Sequence, residues 1–272
     1  MLKDITLGQY FPIDSFVHKL DARIKILSVI IYVIAIFFAE NIWSYLFVAL
    51  FTLSVIKISK IPVKLILKSL KPLVFLVTFT AVLNIFMTSG TIVKVNGYPL
   101  HFGFLKITYE GLYTALKMAV RLIFLVMGTS LLTFTTSPIS LTDGIEKLLN
   151  PFKKIGVPAH EMAMMMTIAI RFIPTLIEET DKIMKAQKAR GADFESGNLI
   201  KRVKAMIPIL VPLFVSSFRR ADELAIAMES RCYHGGEGRT RMKELKIKTR
   251  DIFAFFVVLL FPAVIILINI FL

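Results

Sequence analysis

Two tripeptides carry the pattern most readily tied to a chemical task. Ala189-Arg190-Gly191 and Ser230-Arg231-Cys232 each set an arginine between two small residues, with the arginines 41 positions apart. Small neighbours let another surface approach the guanidinium closely. An arginine fork then binds a carboxylate through two parallel hydrogen bonds, which a lysine cannot do. The same residues also suit a plainer task, because a cation near a helix C-terminus complements the unpaired carbonyls there. Spacing alone leaves both readings open.

The other candidate chemistries are excluded or reduced by spacing. His18, His101, His160 and His234 are scattered, and His160-Glu161 is followed at the second zincin position by Met164, so no metal site is expected. No Gly-Lys dipeptide occurs, so there is no P-loop and this chain is not expected to hydrolyse ATP unaided. Glu178-Glu179 lacks the supporting residues of a membrane-protease dyad and reads as a solvated helix face. Met162, Met164, Met165 and Met166 point in different directions on a helix and read as adaptable packing. A Met-rich surface that lets different partners dock is the sharper alternative. No catalytic residue, cofactor or bound metal is expected.

The elements that must hold the two arginines are helices. Ile173, Leu176, Thr180, Ile183 and Gln187 recur at three- and four-residue steps, with Glu178, Asp181, Lys182 and Lys185 on the other face. Phe214, Phe218, Ala221, Leu224 and Met228 form a second stripe, opposite Arg219, Arg220, Asp222, Glu223 and Glu229. Gly191 can end the first helix in a left-handed cap, and Gly235-Gly236 can stop the second. Each helix begins in an apolar stretch, Ala159–Ile177 or Ala205–Phe218, broken by Pro174 or by Pro208 and Pro212. That is the pattern of a rod that starts against a membrane and leaves it. A shorter helix, Leu141 to Asn150, precedes them.

The rest of the chain is membrane in composition. Of 272 residues 56% are hydrophobic, and the mean hydropathy is +0.72, above a soluble domain of this size. Five spans are expected: Ile26–Ala39, Ile42–Ile56, Leu73–Met87, Ala115–Phe134 and Ile252–Leu272. The fold class is therefore an all-α integral membrane protein of about five spans, with two long crossing helices inserted before the last. Domains are expected at 1–135 (four spans), 136–250 (cytoplasmic helices) and 251–272 (the last span). The N-terminal stretch has no apolar signal-peptide region, so the first span is expected to insert uncleaved.

Charge sets the sidedness. Lys57, Lys60, Lys64, Lys68 and Lys71 form an acid-free cluster between two apolar runs, and twenty more Lys/Arg lie between 136 and 250. With the N-terminus inside and the C-terminus outside, every basic loop falls on the cytoplasmic side of a bacterial or archaeal cell membrane. The net charge of +14 is thus spent on orientation, and no aromatic interleaving points to nucleic acid. The outer loop, with Thr91–Val95, Asn96-Gly97 and Tyr98–Phe102, reads as a short β-hairpin. Arg121, inside a span, is a functional candidate by default; snorkelling to the inner interface or pairing near Glu110 are the structural alternatives.

Three motifs in order resemble a known family. Arg171-Phe172-Ile173-Pro174 through Glu178-Glu179 to Ala186-Gln187-Lys188-Ala189-Arg190-Gly191 is similar to the signature of the T component of energy-coupling factor (ECF) transporters, the EcfT/CbiQ family. Ser230-Arg231-Cys232 sits where that family repeats Ala-Arg-Gly, with a serine and a cysteine as departures. Asp14-Ser15-Phe16-Val17-His18-Lys19-Leu20-Asp21-Ala22-Arg23 resembles its N-terminal pattern. The resemblance implies a non-catalytic coupling subunit for uptake of vitamins or metal ions. Its implied partners are two ABC ATPase subunits, bound through the two motif helices, and a small membrane-embedded substrate-binding subunit. Arg190 and Arg231 would then dock in grooves of the ATPases. Two other function classes compete. An intramembrane lipid or prenyl transferase would need acids within its spans, which hold almost none; an autonomous secondary carrier would show related halves, and none is visible. The substrate is not written in this sequence.

Overall fold

The computed structural model describes residues 10–89, 91, 108–194, 198–236 (of residue 199 the backbone alone) and 245–271, with the backbone of four two-residue strands between 94 and 106. Eight helices follow in chain order: α1 (Ala22–Phe37), α2 (Ile42–Ser59), α3 (Val63–Met87), α4 (Tyr109–Thr135), α5 (Pro138–Leu149), α6 (Ala159–Ala189), α7 (Leu199–Glu229) and α8 (Thr249–Phe271). A 3-10 turn, Asn150–Ile155, links α5 to α6. Between α3 and α4, β1 (Lys94–Val95) pairs antiparallel with β2 (Tyr98–Pro99), and β3 (His101–Phe102) with β4 (Leu105–Lys106). The first ladder matches part of the expected hairpin, whose turn residues Asn96-Gly97 lie outside the described residues. His101-Phe102, expected in the same second strand, pairs onward with β4.

The chain is an all-α integral membrane protein, with helices α2, α3, α4, α6 and α8 long and apolar enough to cross a membrane. This set differs from the expected one at two places. Helix α1 has only 16 residues, because Asp21 caps its start and the helix stops at Phe37; it rises about 24 Å, short of a hydrocarbon core of about 30 Å. Helix α6 joins the set by length and composition alone, through its apolar N-terminal half. Its second half carries Glu178, Glu179, Asp181, Lys182, Lys185 and Lys188, the pattern of a rod that leaves the membrane rather than crosses it. The prolines expected to interrupt the long helices are accommodated: α6 runs through Pro174, and α7 through Pro208 and Pro212.

The described helices fall into two compact units, one of Gln9–Ser137 with Leu245–Leu272, the other containing Pro138–Glu244. In the first, α1 packs on α8 and α4, and α3 lies along α4. Its centre is aromatic. Phe261 is 2% exposed, and its ring centroid lies 4.3 Å from Phe51, 5.5 Å from Phe47 and 5.6 Å from Tyr32. Offset ring pairs of this kind add roughly 0.5–1.5 kcal/mol beyond the area they bury. The Tyr32 hydroxyl donates to the Phe124 carbonyl at 3.0 Å and lies 2.8 Å from Thr52 Oγ1. Tyr32 can lie this close to α4 because Gly128 faces it: a Cβ there would stand 2.1 Å from the ring.

Arg121 goes to neither expected place. It donates to the carbonyls of Ala39 (3.1 Å) and Phe37 (3.4 Å) and to the Tyr45 hydroxyl (3.2 Å), and its guanidinium lies over the Phe37 ring. The last carbonyls of a helix have no partner within it. Arg121 supplies donors to that end of α1, so a charge inside the apolar α4 is a cap for its neighbour.

In the second unit α5 packs on α6, burying Thr142, Gly144, Ala159 and Ala163. Helices α6 and α7, 31 residues each, meet at two levels. Arg220 Nη2 is 2.9 Å from Glu179 Oε2, and Ser216 Oγ donates to Glu179 Oε1. Further along, Gln187 Nε2 donates to the Pro208 carbonyl at 3.5 Å. As numbers rise on α6 they fall on α7, so the pair is antiparallel.

One sequence expectation changes here. Glu179, read as part of a solvated face, is held between Ser216 and Arg220. On the apolar stripe of α7, Phe214 and Phe218 are 66% and 58% exposed, with their rings 4.6 Å apart edge to face. The face turned to α6 carries Ser216 and Arg220, because Glu179 is the group on α6 that needs partners. Met165 and Met166 are also exposed, so packing within the chain accounts only for the half-buried Met162 and Met164.

Candidate functional site

Both small–Arg–small tripeptides end a long helix, and they do so with the same backbone. Helix α6 stops at Ala189 with Arg190 as its cap residue. Gly191 follows at φ +88, its N–H donating to the Lys188 carbonyl at 3.0 Å, and Ala192 N–H donates to Gln187 at 3.0 Å. Helix α7 stops at Glu229. Cys232 takes φ +56, its N–H donating to Glu229 at 2.8 Å, and Tyr233 N–H donates to Met228 at 3.1 Å. These nested bonds define the Schellman motif, in which the residue after the cap is left-handed. Arg190 and Arg231 hold the same place in it.

The motif explains the small third residue of each tripeptide. Position 191 needs a left-handed backbone, which glycine adopts without a Cβ penalty. At position 232 a cysteine takes the same conformation, at a cost of roughly 1–2 kcal/mol. The second helix is therefore stopped by Cys232. Gly235, expected to help stop it, lies three residues on, with its own positive φ of 96.

The side chains point outward. Ala189, Arg190, Gly191, Ser230, Arg231 and Cys232 are all exposed. Among the described residues neither Arg190 nor Arg231 has a hydrogen-bonded or ion-paired side-chain partner. Ser230 Oγ turns back to the Ala227 carbonyl at 3.0 Å, which leaves the guanidinium of Arg231 unobstructed. Each tip thus offers up to five N–H donors in a rigid fork.

The antiparallel pairing sends the tips in opposite directions. Arg190 lies eleven residues beyond Glu179 on α6, and Arg231 fifteen beyond Ser216 on α7. At 1.5 Å per residue these arms extend about 16 Å and about 22 Å from the common contact. Two like-charged forks, roughly 35–40 Å apart along the axes, fit two separate acceptors better than one.

The third motif, Asp14 to Arg23, builds a different structure. His18 lies between Ser15 Oγ (2.7 Å from Nδ1) and the Phe11 carbonyl (2.9 Å from Nε2). Asp21 accepts from Arg23 N at 2.9 Å, and the Arg23 guanidinium grips both its carboxylate oxygens at 3.1 and 2.9 Å. Burial pushes the Asp21 carboxyl up, but the Arg23 hydrogen bonds and charge prevail and hold it below its ordinary 3.8. Asp251, 1% exposed, accepts from Asp21 N at 2.9 Å and from Lys248 N at 2.7 Å. Lys25, 6% exposed, donates to the carbonyls of His18 (3.0 Å) and Thr135 (2.8 Å), and Arg23 donates to Leu245 O at 3.1 Å. The knot fixes the N-terminal segment to the end of α4 and the start of α8.

Asp251 and Lys25 were not legible as a cluster, since 226 positions of chain separate them. The only hint was a single acid at the start of the most apolar helix. His160, excluded above as a metal ligand, sits with Nδ1 3.1 Å from Glu146 Oε1.

A sequence profile of the cobalt transport protein family, CbiQ, matches residues 14–242. The chain is 63% identical over 254 residues to the energy-coupling factor transporter transmembrane protein EcfT of Clostridium kluyveri, covering 93% of each chain. It is 57% identical to the protein of that name in Ruminiclostridium cellulolyticum, over 93% of this chain and 92% of the relative. Against that of Bacillus subtilis it is 48% identical, over 92% and 93%. The matched stretches contain both arginine tips.

Proposed function

The chain belongs to the cobalt transport protein family that includes the EcfT transmembrane proteins, and from that premise we propose that it is the coupling subunit of an ATP-driven importer. Arg190 and Arg231 each dock a carboxylate-lined groove on one of two ABC ATPase subunits. Closure of those ATPases on ATP moves α6 and α7, and the exposed apolar stripe of α7 passes the motion to a small membrane-embedded subunit that holds a vitamin or metal ion. The chain lies in the cell membrane with its N-terminus and both arginine tips cytoplasmic, and its C-terminus outside. The ATPases supply the chemistry, and this chain supplies rigid levers.

The observation that carries this reading is the pair of identical Schellman-capped tips. Each presents an exposed guanidinium without a partner among the described residues, at opposite ends of one antiparallel pair. An arginine kept only to complement its helix dipole would need no repeated backbone motif and no small flanks. Removing one member of a desolvated charge pair costs about 2–5 kcal/mol, roughly 30-fold to several thousand-fold in affinity.

The test is the double substitution Arg190→Ala, Arg231→Ala in a complex reconstituted in vesicles. Membrane insertion should persist, the ATPases should no longer co-purify, and uptake should cease. Normal uptake by the double variant would refute the assignment. Uptake by the isolated chain without ATPases would favour an autonomous carrier instead.

A further inference from the structure

The corner between α2 and α3 carries five lysines and no acid. Lys57 lies in the last turn of α2, and Lys60 caps it with φ 58. Lys64, Lys68 and Lys71 follow at four- and three-residue steps along α3, on one face of the helix. All five are exposed, and none has a hydrogen-bonded or ion-paired side-chain partner among the described residues. No Asp or Glu occurs between Glu40 and Glu110, so the chain's own sequence offers nothing nearby to neutralise them.

Position turns this charge into a site. Helices α2 and α3 are each long and apolar enough to cross a bilayer, and only residues 60–62 separate them. The corner therefore sits where hydrocarbon gives way to headgroups, and the stems of Lys64, Lys68 and Lys71 can run along the apolar helix while their ammoniums reach outward. Beside them Ile58, Val63 and Leu67 are exposed by 50%, 58% and 57%. An occupant must present anions directly above hydrocarbon. A soluble acidic protein offers the first without the second.

We propose that this corner is a binding site for acidic phospholipid headgroups, the five ammoniums holding lipid phosphates while Ile58, Val63 and Leu67 contact the acyl chains. The proposal does not rest on the coupling function. Each lysine near an anionic bilayer surface contributes about a five-fold preference, so the cluster distinguishes acidic from zwitterionic lipid by at least about ten-fold.

Native mass spectrometry of the full chain with its co-purifying subunits, in detergent supplemented with phosphatidylglycerol or phosphatidylcholine, tests this. The parent should retain phosphatidylglycerol at least about ten-fold over phosphatidylcholine. Lys57→Gln, Lys60→Gln, Lys64→Gln, Lys68→Gln and Lys71→Gln together should abolish that preference, whereas arginine at the same five positions should preserve it. Because these charges also orient the helices, the triple Lys64→Gln, Lys68→Gln, Lys71→Gln is read in parallel and should lose most of the preference. Lys201→Gln with Lys204→Gln is the control and should lose none. Equal retention of the two lipids by the parent, or undiminished preference in both glutamine variants, would overturn the site. So would crosslinks showing these lysines covered by a co-purifying protein instead of lipid.

Discussion

Arg220 on α7 places Nη2 2.9 Å from Oε2 of Glu179 on α6, while Ser216, one turn earlier on α7, donates to the other oxygen of the same carboxylate. The two levers are fastened to each other here, between their tips. The side chains are 39% and 22% exposed, so solvent screens the pair and its coupling energy should be about 0.5–1 kcal/mol. A double-mutant cycle of Glu179→Gln and Arg220→Met, read by thermal unfolding, should return that value. Uptake should fall further than stability, since a lever pair that slips at its crossing transmits less motion. Strict additivity of the two changes would remove the fastening from the mechanism.

The caps predict opposite outcomes for two exchanges at equivalent positions. Gly191→Ala forces a Cβ onto a backbone at φ +88; nothing lies within 4 Å of it, so the penalty is torsional, about 1 kcal/mol. Cys232→Gly relieves the same strain at φ +56 and should stabilise the end of α7 by up to about 1 kcal/mol, offset in part by a more flexible unfolded chain. Amide exchange at Gly191 and Tyr233 reads each cap directly. If Cys232→Gly loosened its cap, the left-handed assignment at that position would be wrong.

How much of this was legible depended on whether the signal was local. The two long helices, the cap of the first at Gly191 and the antiparallel pairing of Lys94-Val95 with Tyr98-Pro99 follow from periodicity and turn chemistry within a few residues, and their expected places stand. Arg121 was visible as anomalous, yet its target is the end of α1, some 82 positions away, and no local pattern encodes that. Glu179 failed for a related reason. An acid on a polar face looks the same whether water or an arginine 41 positions on receives it. The stripe of Phe214 and Phe218 was read correctly as apolar, but amphipathicity says only that a face wants covering.

His18 gives the N-terminal segment a pH dependence. Burial lowers its pKa from 6.5, outweighing the Phe11 carbonyl, which raises it; Lys25 adds to the lowering. The fold thus favours the neutral ring, which accepts from Ser15 and donates to Phe11. That contribution is complete above the unfolded value of 6.5 and is lost as pH falls through the lower folded value. Asp21, held below 3.8, keeps its contribution until far more acid conditions. Melting temperature should therefore decline in mild acid for the parent and decline less for His18→Gln, which cannot titrate. Parallel curves would show that His18 takes no part.

Asp251 anchors the knot, and its loss should be the most damaging single change considered. Its carboxylate accepts Asp21 N and Lys248 N, two backbone donors on opposite sides of the chain's return to α8. The bond from Lys248 N satisfies an amide at the start of the helix, as an acid in the first turn does in a capping box. With Asp251 1% exposed, water cannot easily replace either bond. Asp251→Asn can accept with one oxygen only and turns an NH2 towards the remaining amide, which should cost about 2–3 kcal/mol. Asp251→Ala orphans both donors and should cost more. Hydrogen exchange at Asp21 and Lys248 separates this from a general loosening: these two amides should lose protection first, ahead of the Phe261 aromatic centre. If the aromatic centre opened together with them, Asp251 would be supporting the whole bundle, and the knot would be no separate joint.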